Sequence, residues 1–325
     1  MSQPAPGRCD RKGISLVDLF RMFPDDAAAE AWFVKLRWPD GIACHYCGST
    51  PVLEGAKHKT MPYRCRTKGC RKRFSVRTGT VMESSKLGFQ VWAIAIYLMT
   101  TNLKGISSMK LHRELNITQR SAWFLAHRLR ESMADGGGEP FAGPVEVDET
   151  FVGGKAKSMH ARRKRKIGIA DNPLANKTAV AGVKDRETGK VRAAVVADTE
   201  ADTLRGFVTH CAAPAAMVYS DGAPAYDTLP LHESVNHGVG EYVRGQAGIN
   251  GMESFWSVLK RGYVGVFHRM SPEHLPRYVA EFEGRHNARG LDTADQMAGI
   301  VRGAEGKRLR YEELVAHGGR QATAV

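Results

Sequence analysis

The chain has 325 residues, more than one compact core commonly holds, so two or more domains are expected. Its composition is that of a soluble globular protein, but 47 Lys+Arg against 34 Asp+Glu give a formal charge of +13. That excess points to a polyanionic partner, nucleic acid first, because each phosphate met by Lys or Arg releases counterions; a merely solvated basic surface is the alternative. No run approaches the roughly 18 apolar residues of a membrane span, and MSQPAPGRCDRKG lacks the apolar run of a signal peptide. An intracellular protein with no membrane partner is expected. The six cysteines do not read as a disulfide framework, since four of them are spaced quite differently from Cys9 and Cys211.

Residues 15–38 read as helical, with an Asp-rich first turn in FPDDAAAEAWFVKLRW. The next stretch is rich in Gly, Cys and Arg. Cys44 and Cys47 form one C-x2-C knuckle, and Cys65 and Cys70 a looser pair with four residues between. Such pairs supply a tetrahedral thiolate cage, so one structural Zn²⁺ is expected, which a segment too short to bury its own core needs in order to fold. His45 inside the first knuckle reads as a surface histidine, because four cysteines already complete the site. Arg64, Arg66, Lys68, Arg71, Lys72 and Arg73 crowd the second knuckle, either for phosphate contact or as a solvated face.

Residues 88–133 read as three helices. The first is strongly apolar, the second spans about Ser107 to Leu115, and a turn at Asn116-Ile117-Thr118 leads to the third at Gln119 to Ser132, with Thr118 as its N-cap. Two short helices around a tight turn make a helix-turn-helix, which would carry Gln119 and Arg120 toward a DNA groove; an inert helical bundle shares the pattern. ADGGGEPFAGP, 134–144, reads as a linker. Beyond it the period shortens. VEVDETFV alternates as a strand, KTAVAGVKDRETGKVRAAVV reads as two strands around a Glu-Thr-Gly turn, and AAMVYSD is a further strand, with helices near 201–211 and after 250. A mixed α/β domain is expected there. The terminal HGGRQATAV reads as disordered.

Three acids in this domain stand where acids are awkward. Asp148 lies inside an apolar strand, Asp221 ends a strand before Gly222, and Glu253 lies on the margin of the apolar stripe formed by Ile249, Met252, Trp256, Leu259 and Tyr263. Lys260, two turns and roughly 10 Å along the axis from Glu253, is too distant for an easy ion pair. If the strands adjoin and the helix crosses the sheet, the carboxylates converge. An oxygen-only set suits two Mg²⁺ or Mn²⁺ ions, which support in-line attack on phosphorus, while Lys260 would face the DNA backbone. The run 155–166 holds Lys155, Arg162, Arg163, Lys164, Arg165 and Lys166 and no acid, and reads as a mobile phosphate-contacting loop or a solvated one. His237 is either near the metals or a satisfied strand-end histidine. Trp92, Trp123 and Trp256 read as core, and His268, Arg285, His286 and Asn287 receive no role.

WPDGIACHYCG, CRKRFSVRTGTVMESSKL, VEVDETFVGGK, VYSDGAPAYDTL, VNHGVGEYV and INGMESFWSVLKRGYVGVFHRMSPEHLPRYVAEFEGRHNAR together resemble the insertion-sequence DDE transposases of the ISXO-like group, over residues from about 15 to 305. The resemblance implies an α/β protein whose catalytic domain has a ribonuclease-H-like mixed sheet, preceded by a zinc ribbon and a helical DNA-binding unit. It implies Asp148, Asp221 and Glu253 as Mg²⁺ ligands, with Lys260 and its neighbour Arg261 beside the DNA. Related groups place Asn where the last acid stands, so Asn250, one turn earlier, is kept as a possible contact to metal or DNA. The implied segments are an N-terminal helical part (1–40), zinc ribbon (41–86), helix-turn-helix-like domain (87–133), linker (134–144), catalytic domain (145–305) and tail (306–325). The implied partners are double-stranded DNA, as terminal inverted repeats and target, and further copies of the chain, at least a dimer on DNA. The implied location is the bacterial cytoplasm, at the nucleoid. A non-catalytic DNA-binding regulator and a nuclease of the same fold are the alternatives.

Overall fold

The computed structural model describes residues 11–134, 137–221, 223–234 and 250–316. They form two compact units, one of residues up to 133 with 288–316, the other of 134–287. No described helix is long and apolar enough to cross a membrane.

The first unit begins with two helices within the stretch expected to be helical, α1 (Leu16–Met22) and α2 (Asp26–Arg37). Pro24 disfavours helix at Phe23 before it, and the Asp25 carboxylate accepts the Ala28 N–H at 2.8 Å as a new N-cap. A small antiparallel sheet follows, in order β1 (Val52–Leu53), β2 (Tyr63–Cys65) and β3 (Arg73–Phe74). Its core is little more than Tyr63, Phe74 and cysteines, with Val34 and Trp38 of the preceding segment packed against it. The larger core of the unit gathers α3 (Phe89–Thr101), α4 (Ser108–Leu115) and α5 (Gln119–Met133) around Trp92, Ile96, Leu111 and Leu125. Asn116 ends α4 in the left-handed conformation at φ 49°, and the Thr118 hydroxyl accepts the Ser121 N–H at 3.1 Å, so the expected turn and cap are present.

In the second unit a five-stranded sheet has the order β6-β5-β4-β7-β8, built from β4 (Val145–Val152), β5 (Thr178–Asp185), β6 (Val191–Val195), β7 (Val218–Ser220) and β8 (His232–Ser234). The first three strands in sequence form an antiparallel meander, and β7 and β8 run parallel to β4. The Asp185 carboxylate closes the β5–β6 turn by accepting the Glu187 and Thr188 N–H groups. α6 (Ala161–Lys166) lies in the β4–β5 connection. Alternation along the strands sends Val145, Val147, Ala181 and Val183 to one face, under α7 (Ala201–Cys211), and Val152, Val180 and Val191 to the other, under α8 (Asn250–Gly262) and α9 (Leu275–Asn287). α9 also covers the outer edge of β6: Asn287 accepts from the Val191 N–H and donates to its carbonyl, both at 2.8 Å, and Glu283 accepts the Ala193 N–H. These side chains satisfy an edge that would otherwise invite pairing with another chain.

Two expected boundaries move. The stretch 134–144 is not a free linker from 137 on, because Phe141 packs with Phe207 and its N–H donates to Cys211 O at 2.8 Å. The compact unit that holds most of the domain expected over 145–305 ends at Asn287, since α10 (Thr293–Arg302) belongs to the first unit, where Met297 and Ile300 join the helical core and Val81 N–H donates to Ala304 O. The expected tail is likewise folded up to 316. There α11 (Tyr311–Val315) stacks Tyr311 on Phe124 and on the Arg120 guanidinium, and only 317–325, with HGGRQATAV, lies outside the described residues.

Gly182 of β5 pairs with Asp148, and a Cβ there would stand 2.3 Å from Met252 Cε and 2.7 Å from the Trp256 ring. The bare backbone lets α8 rest on the sheet. Gly182→Ala is expected to lower stability by about 1–3 kcal/mol through overpacking, as measured by urea denaturation.

Candidate active site and metal centres

β4 pairs in parallel with β7 at Val145↔Val218 and Glu146↔Tyr219, and the same register carried two residues further sets Asp148 opposite Asp221. Asp148 follows the alternation onto the α8 face, and Asp221 lies directly after the end of β7. Asp148 is buried, and burial first, then the Asp221 and Glu149 charges, push its carboxyl up to about 7. It is held from two sides: the Glu149 N–H donates to Oδ1 at 2.8 Å and the Trp256 indole N–H to Oδ2 at 2.9 Å. Trp256, read from the sequence as core, is therefore both core and a hydrogen-bond donor to the acid. Glu149 points to the other face, where the Tyr226 hydroxyl donates to it at 2.8 Å; burial and then Asp221 raise its carboxyl as well, and burial together with Glu149 raises the Tyr226 phenol.

α8 is fixed above these acids by Glu146, which sequence reasoning passed over although alternation sets it on the same face as Asp148. Its buried carboxylate accepts the Met252 N–H at 3.0 Å in the first turn of α8 and the Arg186 Nε–H at 3.1 Å. A negative charge at a helix N-terminus is favourable there. Gly251 is needed at this approach, since a Cβ would stand 2.6 Å from Glu146 Oε2 and 2.1 Å from Lys184 Nζ. Glu253 and Asn250 are exposed in that same first turn, Lys260 and Arg261 in the last. No described ion pair joins Glu253 to Lys260. Asp148, Asp221 and Glu253 do not bring ligand atoms within 4.8 Å of one another; among the described residues one group does so, the four cysteines. His237 lies outside the described residues.

In that cysteine group Cys44 and Cys70 stand 3.7 Å apart at sulfur, as do Cys47 and Cys65. A tetrahedron with metal–sulfur bonds of about 2.3 Å has edges of about 3.8 Å, close to these two, and all four sulfurs lie within 4.8 Å of one another, so they could hold one metal ion. The local chain explains the fit. Gly48 and Gly69 take φ of +70° and +96°, which turns each knuckle back on itself. Hydrogen bonds from Ser49 pull the Cys47 thiol down to about 6, toward the thiolate a metal needs, whereas burial pushes Cys44 up to about 11. His45 is no ligand; it is exposed, with Nδ1 3.3 Å from an Arg37 guanidinium nitrogen.

The basic candidates fall into two groups. Arg71, Lys72 and Arg73 are exposed beside the second knuckle, with Lys72 Nζ 4.5 Å over the Tyr46 ring. Gln119 and Arg120 open α5, where Gln119 donates to Ser108 Oγ at 3.1 Å and Arg120 lies 4.1 Å over Tyr311. Lys155, Arg162, Arg163, Lys164, Arg165 and Lys166 do not form the loop expected. All but Lys155 lie on α6, whose first turn His160 caps through Nδ1.

A mixed-sheet domain with paired aspartates beneath a helix, together with a four-cysteine ribbon, is the arrangement against which known proteins can be compared. Residues 140–287 match the model of the ISXO2-like transposase domain. Over 276 residues the chain is 26% identical to the "Uncharacterized protein in transposable element ISH50" of Halobacterium salinarum, covering 82% of this chain and 92% of that protein. Both findings support an insertion-sequence transposase, the first through similarity of residues 140–287 to the ISXO2-like domain. Such a domain implies a DNA substrate and the use of divalent metal.

Raising the pKa of Asp148 favours the protonated native state, so without a metal at the acids the cost is absent below about pH 4 and complete above about pH 7. Asp148→Asn removes it. With the ribbon metal retained and no other divalent cation present, thermal denaturation should show the variant equal to the parent near pH 4. It should be more stable at pH 8 by a few kcal/mol, since each tenfold change in proton affinity between the folded and unfolded chain is worth about 1.4 kcal/mol. Cys44→Ser should lose the ribbon's metal, measured by a colorimetric chelator after mild denaturation, and unfold 41–86.

Proposed function

We propose that the chain is a DNA transposase that cleaves at the ends of its insertion sequence and joins the freed 3′-hydroxyls to target DNA. The observation that carries this reading is Asp148 on β4 near Asp221, which directly follows the adjacent parallel strand β7, in a domain matching a transposase. The sheet order, an antiparallel meander continued by two strands parallel to its first, supports a ribonuclease-H-like fold. Asp148, Asp221 and Glu253 hold two Mg²⁺ or Mn²⁺ ions. Glu253 is preferred to Glu149 as the third acid because α8 covers the face that bears Asp148, whereas Glu149 faces Tyr226. Bound ions supply activation of the attacking hydroxyl and stabilisation of the leaving oxygen. Trp256 fixes the rotation of the Asp148 carboxylate, Glu146 fixes the start of α8, and Lys260 and Arg261 meet the DNA backbone. Asn250, in the same first turn, contacts metal or DNA.

The four cysteines hold one structural Zn²⁺, for their sulfur-only set and spacing suit that ion. The ribbon with Arg71, Lys72 and Arg73, and the helix-turn-helix with Gln119 and Arg120, recognise terminal inverted repeats, while Lys155 and the cations of α6 meet phosphates. Action on two ends at once requires at least a dimer on DNA, in the bacterial cytoplasm at the nucleoid.

The test uses purified protein, a labelled element-end duplex and Mn²⁺. Wild type should cut and join; Glu253→Ala should lose about 100-fold or more, beyond the 10–100-fold common for losing an outer partner of a metal ligand, and Lys260→Ala should mainly weaken DNA binding. Cutting without joining would make it a nuclease. Specific end binding without metal-dependent nicking would make it a DNA-binding regulator.

A further inference from the structure

The second unit holds a cavity of about 460 Å³ between the residues that follow α8 and the β4–β5 connection. Its size is that of a small-ligand site. Four cations line it, Lys155, Arg163, Lys177 and Arg269, and no Asp or Glu among the described residues does. A concave surface with charge of one sign concentrates anions. Charge is only part of its character, because Tyr263, Met159 and Met270 give it an aromatic and apolar wall.

Asn176, also in the lining, carries a second signal. Its Nδ2 donates to Gly154 O at 2.5 Å, while its Oδ1 is buried with no hydrogen-bond partner among the described residues. Exchanging the amide nitrogen and oxygen would press two oxygens together at that distance, so the orientation is fixed. A buried, unpaired acceptor awaits a donor. The backbone adds a third signal. After α8 the chain passes into a π turn, Tyr263–Phe267, and then His268 takes φ +57° with its N–H on Tyr263 O at 2.7 Å. π segments and left-handed non-glycine residues gather at functional sites, and here they aim Arg269 and Met270 into the cavity.

A phosphate alone would answer the cations and leave Tyr263 and Asn176 Oδ1 unused; an apolar molecule would leave the cations unanswered. A nucleotide answers all three, with phosphate for the cations, a base face for the ring and a base N–H for Oδ1. Paired bases are beyond reach of so small a cavity. We propose that this cavity receives one unpaired nucleotide of a DNA strand, its phosphate against Arg163 and Arg269 and its base against Tyr263 and Asn176. The choice of DNA as the source rests on the transposase reading; the pocket's chemistry does not.

Binding of the full chain to two labelled duplexes, one blunt and one ending in a three-nucleotide single strand, tests this at fixed salt with no Mg²⁺ or Mn²⁺. The overhang duplex should bind about 10-fold more tightly, within the range of one base stacking on an aromatic side chain. Tyr263→Ala should abolish the advantage and Tyr263→Phe keep it. Arg163→Glu, at an exposed position on α6, should abolish it with no packing lost. Equal affinity for the two duplexes, or an advantage that survives Tyr263→Ala and Arg163→Glu, overturns the proposal, as does a free deoxynucleoside monophosphate binding as tightly as the overhang. Cleavage is not read in this assay. Overhang preference without metal-dependent cutting sinks the transposase chemistry alone, and cutting without the preference sinks the pocket alone.

Discussion

Asp148 is a carboxylate buried near a second carboxylate, and the cost of that burial, added to by the neighbouring charge, is the constraint on which the second unit depends. A globular core has no use for it: an apolar residue at the same point of β4 would pack without cost. What holds the acid in place is a set of directional contacts on one face of the sheet. A backbone N–H and the Trp256 indole fix both its oxygens, and the Glu146 carboxylate anchors the first turn of α8. The helix is thus located by hydrogen bonds to the strand that carries the acid, as well as by burial of Met252, Phe255, Trp256 and Leu259.

The ribbon solves a different problem by similar means. Its own apolar core is small for three short strands, and four sulfur atoms gathered at one point are compatible with a metal ion as the cross-link. Basic residues then gather on a rigid knuckle at low cost in side-chain order. In both units charge is placed on elements fixed by something other than that charge: thiols beneath Arg71–Arg73, the sheet beneath Asp148, and a capped helical turn beneath Arg162–Lys166.

Much of this was legible in the chain. Period-2 alternation marked β4, whose even positions carry Glu146 and Asp148, and a Glu-Thr-Gly turn between apolar runs marked β5 and β6. Cysteine spacing marked the ribbon, and Thr118 marked the start of α5. Less legible were features that depend on partners distant in sequence. Glu146 looks like an ordinary strand acid until Met252 N–H meets it from 106 residues away. Phe141 looks like part of a Gly-Pro linker until it meets Cys211, and residues 288–302 look like a continuation of the catalytic span until Met297 meets the core of the first unit.

The sequence by itself determined that Asp148 is costly to bury without a purpose, that four cysteines are spaced as a cluster, and the local elements that carry them, since propensity, capping and periodicity act over a few residues. Only the tertiary structure decided who meets whom: β7 beside β4, α8 locked through Trp256 and Glu146, α10 in the first unit, and Asn176 with an unanswered oxygen in a cationic cavity. Those outcomes come from long-range packing and strand pairing, and no local pattern encodes them.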